Sequence, residues 1–149
     1  MISEKRNLLC ARECAVLFQD AARVAVLDGI TNKPKDSTSL AHALDRLDEF
    51  ERSGGEVLFD VLMSLPPERF HIPSSFPCGQ RYEATISGSS CILRLEELRD
   101  RLSAAEPSMI RPMYLNYAVR VALRAAFALS HKEEFSDALV SRGVDPEGL

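Results

Sequence analysis

Apolar residues recur along most of the chain at the three-to-four-residue step of an α-helix, and that period sets the first expectation. From about Ser3 to Asp28, Ala11, Cys14, Ala15, Phe18, Ala21, Ala22 and Ala25 fall on one broad arc, with Arg12, Glu13, Gln19, Asp20 and Arg23 on the other side. The small residues of that arc allow a neighbouring helix to approach closely, which predicts a place against the centre of a bundle. Gly29 predicts the stop, and Thr31 to Asp36 a loop. A second helix is expected from a cap at Ser37, Thr38 or Ser39. It carries the stripe Leu40, Ala43, Leu44, Leu47 and Phe50 and ends at Gly54-Gly55. Val57, Leu58, Val61, Leu62 and Leu65 predict a shorter third helix, stopped by Pro66-Pro67.

Residues 66–90 break the pattern. Pro66, Pro67, Pro73 and Pro77, with Gly79 and Gly88, forbid a continuous helix. Tyr82 to Ile86 alternates weakly and reads as an isolated strand or one helical turn. Helix resumes from Ser89 or Ser90 to Ala104 on the stripe Ile92, Leu95, Leu98 and Leu102, and again from near Pro112 to Leu129. Ser130 and Glu133 have capping-box spacing, so a last helix is expected to carry Phe135, Leu139 and Val140 up to Gly143. Together these segments predict an all-α fold, a compact bundle of about five or six helices in a single domain over 1–149, with one long Pro/Gly-containing loop.

Composition narrows the class without choosing a function. The 149 residues are 46% apolar and 27% charged, the globular average, which excludes collagen-like, disordered and disulfide-framework chains. Residues 1–75 hold 9 basic and 12 acidic side chains and residues 76–149 hold 9 and 10, so neither half offers a large electrostatic footprint for DNA. No apolar run reaches the length of a membrane span, and Glu13 interrupts the N-terminal apolar stretch too early for a signal-peptide core. The expectation is a cytoplasmic protein without a membrane. Cys10 and Cys14, four apart on an expected helix, would share one face as buried thiols, since a bridge between them would distort the helix. Cys78 and Cys91 complete no zinc spacing with His71, so neither metal nor cofactor is expected.

The clearest constellation lies on the helix around residues 113–129. Leu115, Ala118, Val119, Ala122, Ala126 and Leu129 make its core face, while Tyr117, Arg120, Arg124, Ala128 and His131 share an opposite arc of about 80°. Two Arg one turn apart beside a Tyr can hold a phosphate or a partner's carboxylate; alternatively they pair with acids of a neighbouring helix. Arg124 and His131, with six residues between them, resemble in spacing the R-x(4–6)-H motif of HEPN ribonucleases, which are also small helical bundles. The resemblance covers those two residues and a general shape. It implies an Arg that steadies phosphate charge and a His that moves the proton of an RNA 2′-hydroxyl. The chain departs from that family's pattern in having Ala125 after the Arg and no aromatic nearer the His than Phe135.

A second candidate is the loop. Phe70, Ile72, Phe76 and Tyr82 put four large apolar or aromatic groups into thirteen positions. Exposed, they would form a patch that anchors a partner; tucked in, they would lid the bundle. The leading expectation is therefore a non-catalytic protein–protein interaction module: an adaptor, an inhibitor or immunity-type protein, or a small helical subunit of a larger assembly. Its partner would be another protein or a second copy. The alternative is a helical RNA-binding or HEPN-like ribonuclease subunit that uses Arg120, Arg124 and His131.

Overall fold

The structure, a computed structural model, describes residues 5–52, 65–72, 81–105 and 114–140. Strand β1 (Lys5–Ala11) leads into helix α1 (Cys14–Leu27) and then α2 (Asp36–Arg52). A 3-10 turn (Pro67–Phe70), strand β2 (Arg81–Ser87) and helix α3 (Ser89–Ala105) follow. Helices α4 (Leu115–Ser130) and α5 (Lys132–Val140) complete the described residues. The chain is mostly helical but not all-α, because β1 and β2 pair into a small antiparallel sheet.

That sheet corrects the expected helix from Ser3 and resolves the alternation at Tyr82–Ile86. Along β1, Leu8 and Cys10 turn inward while Lys5, Asn7 and Leu9 face solvent; along β2, Tyr82, Ala84 and Ile86 turn inward. The register sets Cys10 opposite Tyr82 and Leu8 opposite Ala84, so each strand presents its apolar positions to the helices. Both outer edges receive side-chain bonds. The Ser37 hydroxyl donates to the Thr85 carbonyl at 3.3 Å and accepts from the Ser87 N–H at 2.7 Å. Across the ribbon, the Asn116 amide donates to the Leu9 carbonyl at 2.9 Å. A two-stranded ribbon is marginal alone; here α2 and α4 hold its two edges.

The helices follow their sequence signals closely. Helix α1 buries Cys14, Leu17, Phe18, Ala21, Val24 and Ala25, and Gly29 stops it at φ +74. The Gly29 N–H donates to the Val26 carbonyl and the Ile30 N–H to the Ala25 carbonyl, the paired bonds of a left-handed glycine stop. Helix α3 buries Ile92, Leu95, Leu98 and Leu102 as the stripe predicts. The third expected helix lies outside the described residues except for Leu65, as do Gly54-Gly55 and residues 73–80 of the expected loop. Helix α4 contacts α1, α2, α3, α5 and β1, and is buried on nearly every side from Leu115 to Ala128. The expected capping box at Ser130 is not made: the Ser130 hydroxyl donates back to the Ala126 carbonyl at 3.0 Å. The chain breaks instead at His131.

Candidate functional site

Of the residues expected to line one exposed face of α4, the two arginines are drawn inward by a single acid. Glu13 occupies the turn between β1 and α1, where its carbonyl accepts from the Leu17 N–H and its side chain points at α4. It is 7% exposed and Arg124 is 1% exposed. Arg124 Nη2 donates to Glu13 Oε2 at 2.8 Å, Nη1 donates to the Leu65 carbonyl at 3.2 Å, and the guanidinium lies 4.4 Å over the Phe70 ring. Arg120 Nε contacts the other Glu13 oxygen. Burial pushes both guanidinium pKa values down, and repulsion from Arg124 adds to the effect on Arg120, which falls to about 10. At about 10 the Arg120 guanidinium stays a cation at neutral pH. One carboxylate thus fastens two guanidiniums, bolting the β1–α1 turn to the central helix.

This corrects the picture of an exposed arc. Ala128 and Arg124 are buried, Tyr117 is half-buried against the core, and Arg120 and Arg124 already hold a carboxylate of their own chain. His131 turns elsewhere. Its Nε2 lies 3.0 Å from Asp20 Oδ1 on α1, its Nδ1 lies 3.8 Å from Glu134, and its ring stacks on Phe127 at 4.1 Å. Arg124 and His131 are therefore held by different carboxylates, Glu13 and Asp20.

A second histidine joins that end of α4. His71 follows the 3-10 turn at φ +58, a left-handed conformation uncommon for residues other than glycine. Its Nε2 lies 2.8 Å from Glu134 Oε2, and its ring meets His131 edge-on at 5.4 Å. Arg69 donates to the Glu134 carbonyl at 2.6 Å and to Asp137 at 2.9 Å, tying the 3-10 turn to α5. A carboxylate on each imidazole fixes ring orientation, so these contacts act first as packing. Among the described residues, no group of three or more His, Cys, Asp or Glu is arranged to hold a metal ion.

The loop aromatics divide. Phe70 and Ile72 are buried, Phe70 against Phe127 and Phe135 at 5.6 and 5.2 Å, so these two lid the bundle rather than form an exposed patch. Phe76 lies outside the described residues. Tyr82 is half-buried beside Phe18 and donates its hydroxyl to Asp36 at 2.9 Å. Burial first, then the Asp36 carboxylate, raises its pKa to about 12.

Two features escaped the reading of the sequence. Val26, Leu27 and Ile30, at the C-terminal end of α1, are 44%, 70% and 53% exposed. Their signal was present, since all three are large apolar residues left off the predicted arc. Cys10 and Cys14 do not share a helix face. They flank the β1–α1 turn as buried thiols, the Cys10 thiol donating to the Leu8 carbonyl at 3.6 Å; the influence of Cys14 holds the Cys10 pKa down, and the influence of Cys10 together with burial pushes that of Cys14 up. No protein-family model matches the chain, and no curated protein or solved structure matches it.

Proposed function

We propose that the chain is a cytoplasmic, non-catalytic protein-interaction module, an adaptor, inhibitor or small helical subunit that docks through the C-terminal end of α1. The observation that carries the reading is the exposure of Val26, Leu27 and Ile30 within five positions, beside a core that encloses its other large apolar groups on α1. Fully burying a side chain of this size stabilises by about 1.5–3 kcal/mol, so even the exposed parts of three such groups could supply the apolar centre of an interface. The charged groups that would serve catalysis are engaged within the chain: Arg120 and Arg124 by Glu13, His131 by Asp20. A ribonuclease role would require Arg124 to leave Glu13 and the Leu65 carbonyl before it met a phosphate. No described helix is long and apolar enough to cross a membrane.

The test is affinity purification of the tagged chain and of a Leu27→Glu/Ile30→Glu variant from lysate of the source cells. Each is purified with and without nuclease treatment and quantified by mass spectrometry. The expected result is a protein recovered in comparable amount with the wild type and reduced at least about tenfold with the variant, whose melting temperature is unchanged. Recovery of RNA with wild type, and loss of all co-purifying protein after nuclease, would overturn the proposal. Equal recovery of the partner by the variant would overturn the assignment of the surface.

A further inference from the structure

Helices α1, α2 and α4 leave a crevice of about 10 Å³ between them, room for one water-sized molecule and little more. Polar side chains line it from all three helices: Asp20 from α1, His42 and Arg46 from α2, and Ser130 from α4. His42 and Arg46 stand one turn apart and converge on a single oxygen of Asp28, at the end of α1. His42 Nε2 lies 2.7 Å from Asp28 Oδ2, and Arg46 Nη1 lies 3.7 Å from the same atom. Each of the two side chains also has a buried polar atom that bonds to no group among the described residues, Nδ1 of His42 and Nε of Arg46. Buried polar groups are seldom left without a partner.

The hydrogen-bonding character of these two atoms selects the ligand. A carboxylate only accepts, so Asp28 draws the imidazole proton to Nε2 and leaves Nδ1 of the neutral ring as an acceptor. Arg46 Nε–H is a donor. A ligand that satisfies both must accept from one and donate to the other, which a monatomic ion cannot do. The Asp20 carboxylate on the wall opposes an anion, and the Arg46 guanidinium opposes a cation. Water meets both demands. Its second hydrogen finds acceptors in the Asp20 carboxylate and in Ser130 Oγ, whose own hydrogen goes to the Ala126 carbonyl at 3.0 Å. About two to four polar partners and space for one molecule are what a buried water requires.

We propose that the crevice is a binding site for one ordered water, which accepts from Arg46 Nε–H, donates to His42 Nδ1 and so fixes the tautomer that fastens Asp28. Asp28 closes α1, its N–H donating to the Val24 carbonyl at 2.9 Å, and it stands between Leu27 and Ile30. The water is thereby one link in the contacts that hold the end of α1 against α2. This inference goes beyond the docking proposal and does not depend on it.

The test uses the whole chain. At about pH 8, above the ordinary imidazole range, nitrogen NMR of the isotope-labelled His42 ring should show a proton on Nε2 and none on Nδ1. A crystal structure fine enough to show ordered water should place one density peak at about 2.7–3.2 Å from both His42 Nδ1 and Arg46 Nε. Relaxation dispersion in oxygen-labelled water counts long-lived waters, and Ala43→Val, which fills the crevice, should remove one of those seen in wild type. A proton on Nδ1 would overturn the proposal, because the water could not donate to it. So would the lack of a peak shared by the two atoms, an unchanged water count in a folded Ala43→Val protein, or bromide bound in the crevice after soaking, which would make it an anion site. Where Ala43→Val fails to fold, the ring tautomer and the shared peak decide the matter on wild type alone.

Discussion

Replacing Glu13 by Gln tests whether the charged face of α4 is structural. The carboxylate is 7% exposed and its Oε2 lies 2.8 Å from Arg124 Nη2, while its other oxygen meets Arg120. Removing one partner from a buried ion pair costs about 3–5 kcal/mol, because the remaining charge loses its counter-ion without regaining water. The upper part of that range applies here. Glu13 neutralises two guanidiniums that already repel each other, and the Leu65 carbonyl and Phe70 ring left to Arg124 carry no negative charge. For a domain of this size each kcal/mol shifts the melting temperature by about 2–4 °C, so Glu13→Gln should melt roughly 10–15 °C lower. Urea unfolding followed by far-ultraviolet circular dichroism measures the loss directly, with an unchanged slope if the native state stays compact. A triple replacement, Glu13→Leu with Arg120→Met and Arg124→Met, should fall within about 1 kcal/mol of wild type or exceed it, since packed apolar groups replace a buried ionic cluster at little cost. A loss below about 1 kcal/mol for Glu13→Gln would refute the reasoning. A triple variant less stable than the single one would do the same.

Two further outcomes follow from the same geometry. Tyr82→Phe removes the hydrogen bond to Asp36 and should cost about 1 kcal/mol near neutral pH. Because the folded-state pKa is raised to about 12, the phenol's contribution is fully present below its unfolded pKa and disappears as pH rises through about 12, so wild type and Tyr82→Phe should converge in urea stability there. Phe70→Ala should cost about 3–5 kcal/mol, since the ring is fully buried between Phe127, Phe135 and the Arg124 guanidinium. A near-neutral result by the same urea assay would mean that the 3-10 turn does not lid the bundle.

The helices were legible because each buries one stripe against a neighbour, and period alone reports that. Leu95 and Leu98 on α3, or Leu40, Leu44 and Leu47 on α2, sit where their spacing put them. Strand β1 was not legible for a physical reason. Leu8, Leu9 and Ala11 favour helix by intrinsic propensity, and the apolar arc of α1 runs back into them without a gap. What makes Lys5–Ala11 a strand is its partner, Arg81–Ser87, at least seventy residues away. The alternation of Tyr82, Ala84 and Ile86 was visible, but a strand cannot be recognised until the edge it pairs with is known. Once β1 ends at Ala11, Cys10 and Cys14 change from neighbours on one helix face to buried thiols on either side of a turn.

The charged arc of α4 is drawn inward for a related reason. A helical wheel divides a helix into an inner and an outer side, which assumes that one side meets water. Helix α4 has packed elements around it from Leu115 to Ala128, so the side opposite its core stripe is largely covered too, with Arg124 and Ala128 buried and Tyr117 and Arg120 half-buried. Arginines on a second buried side must find carboxylates, and the sequence already held one: Glu13, a polar position on the back of the predicted first helix. A helix rich in Ala on both sides, as α4 is with Ala118, Ala122, Ala125, Ala126 and Ala128, marks the element others close around. Charges on such a helix are to be matched against acids elsewhere in the chain before they are offered to a ligand. By that order of argument Arg120 and Arg124 are matched first to Glu13, and the docking surface proposed above rests instead on Val26, Leu27 and Ile30, a cluster among the exposed large apolar residues.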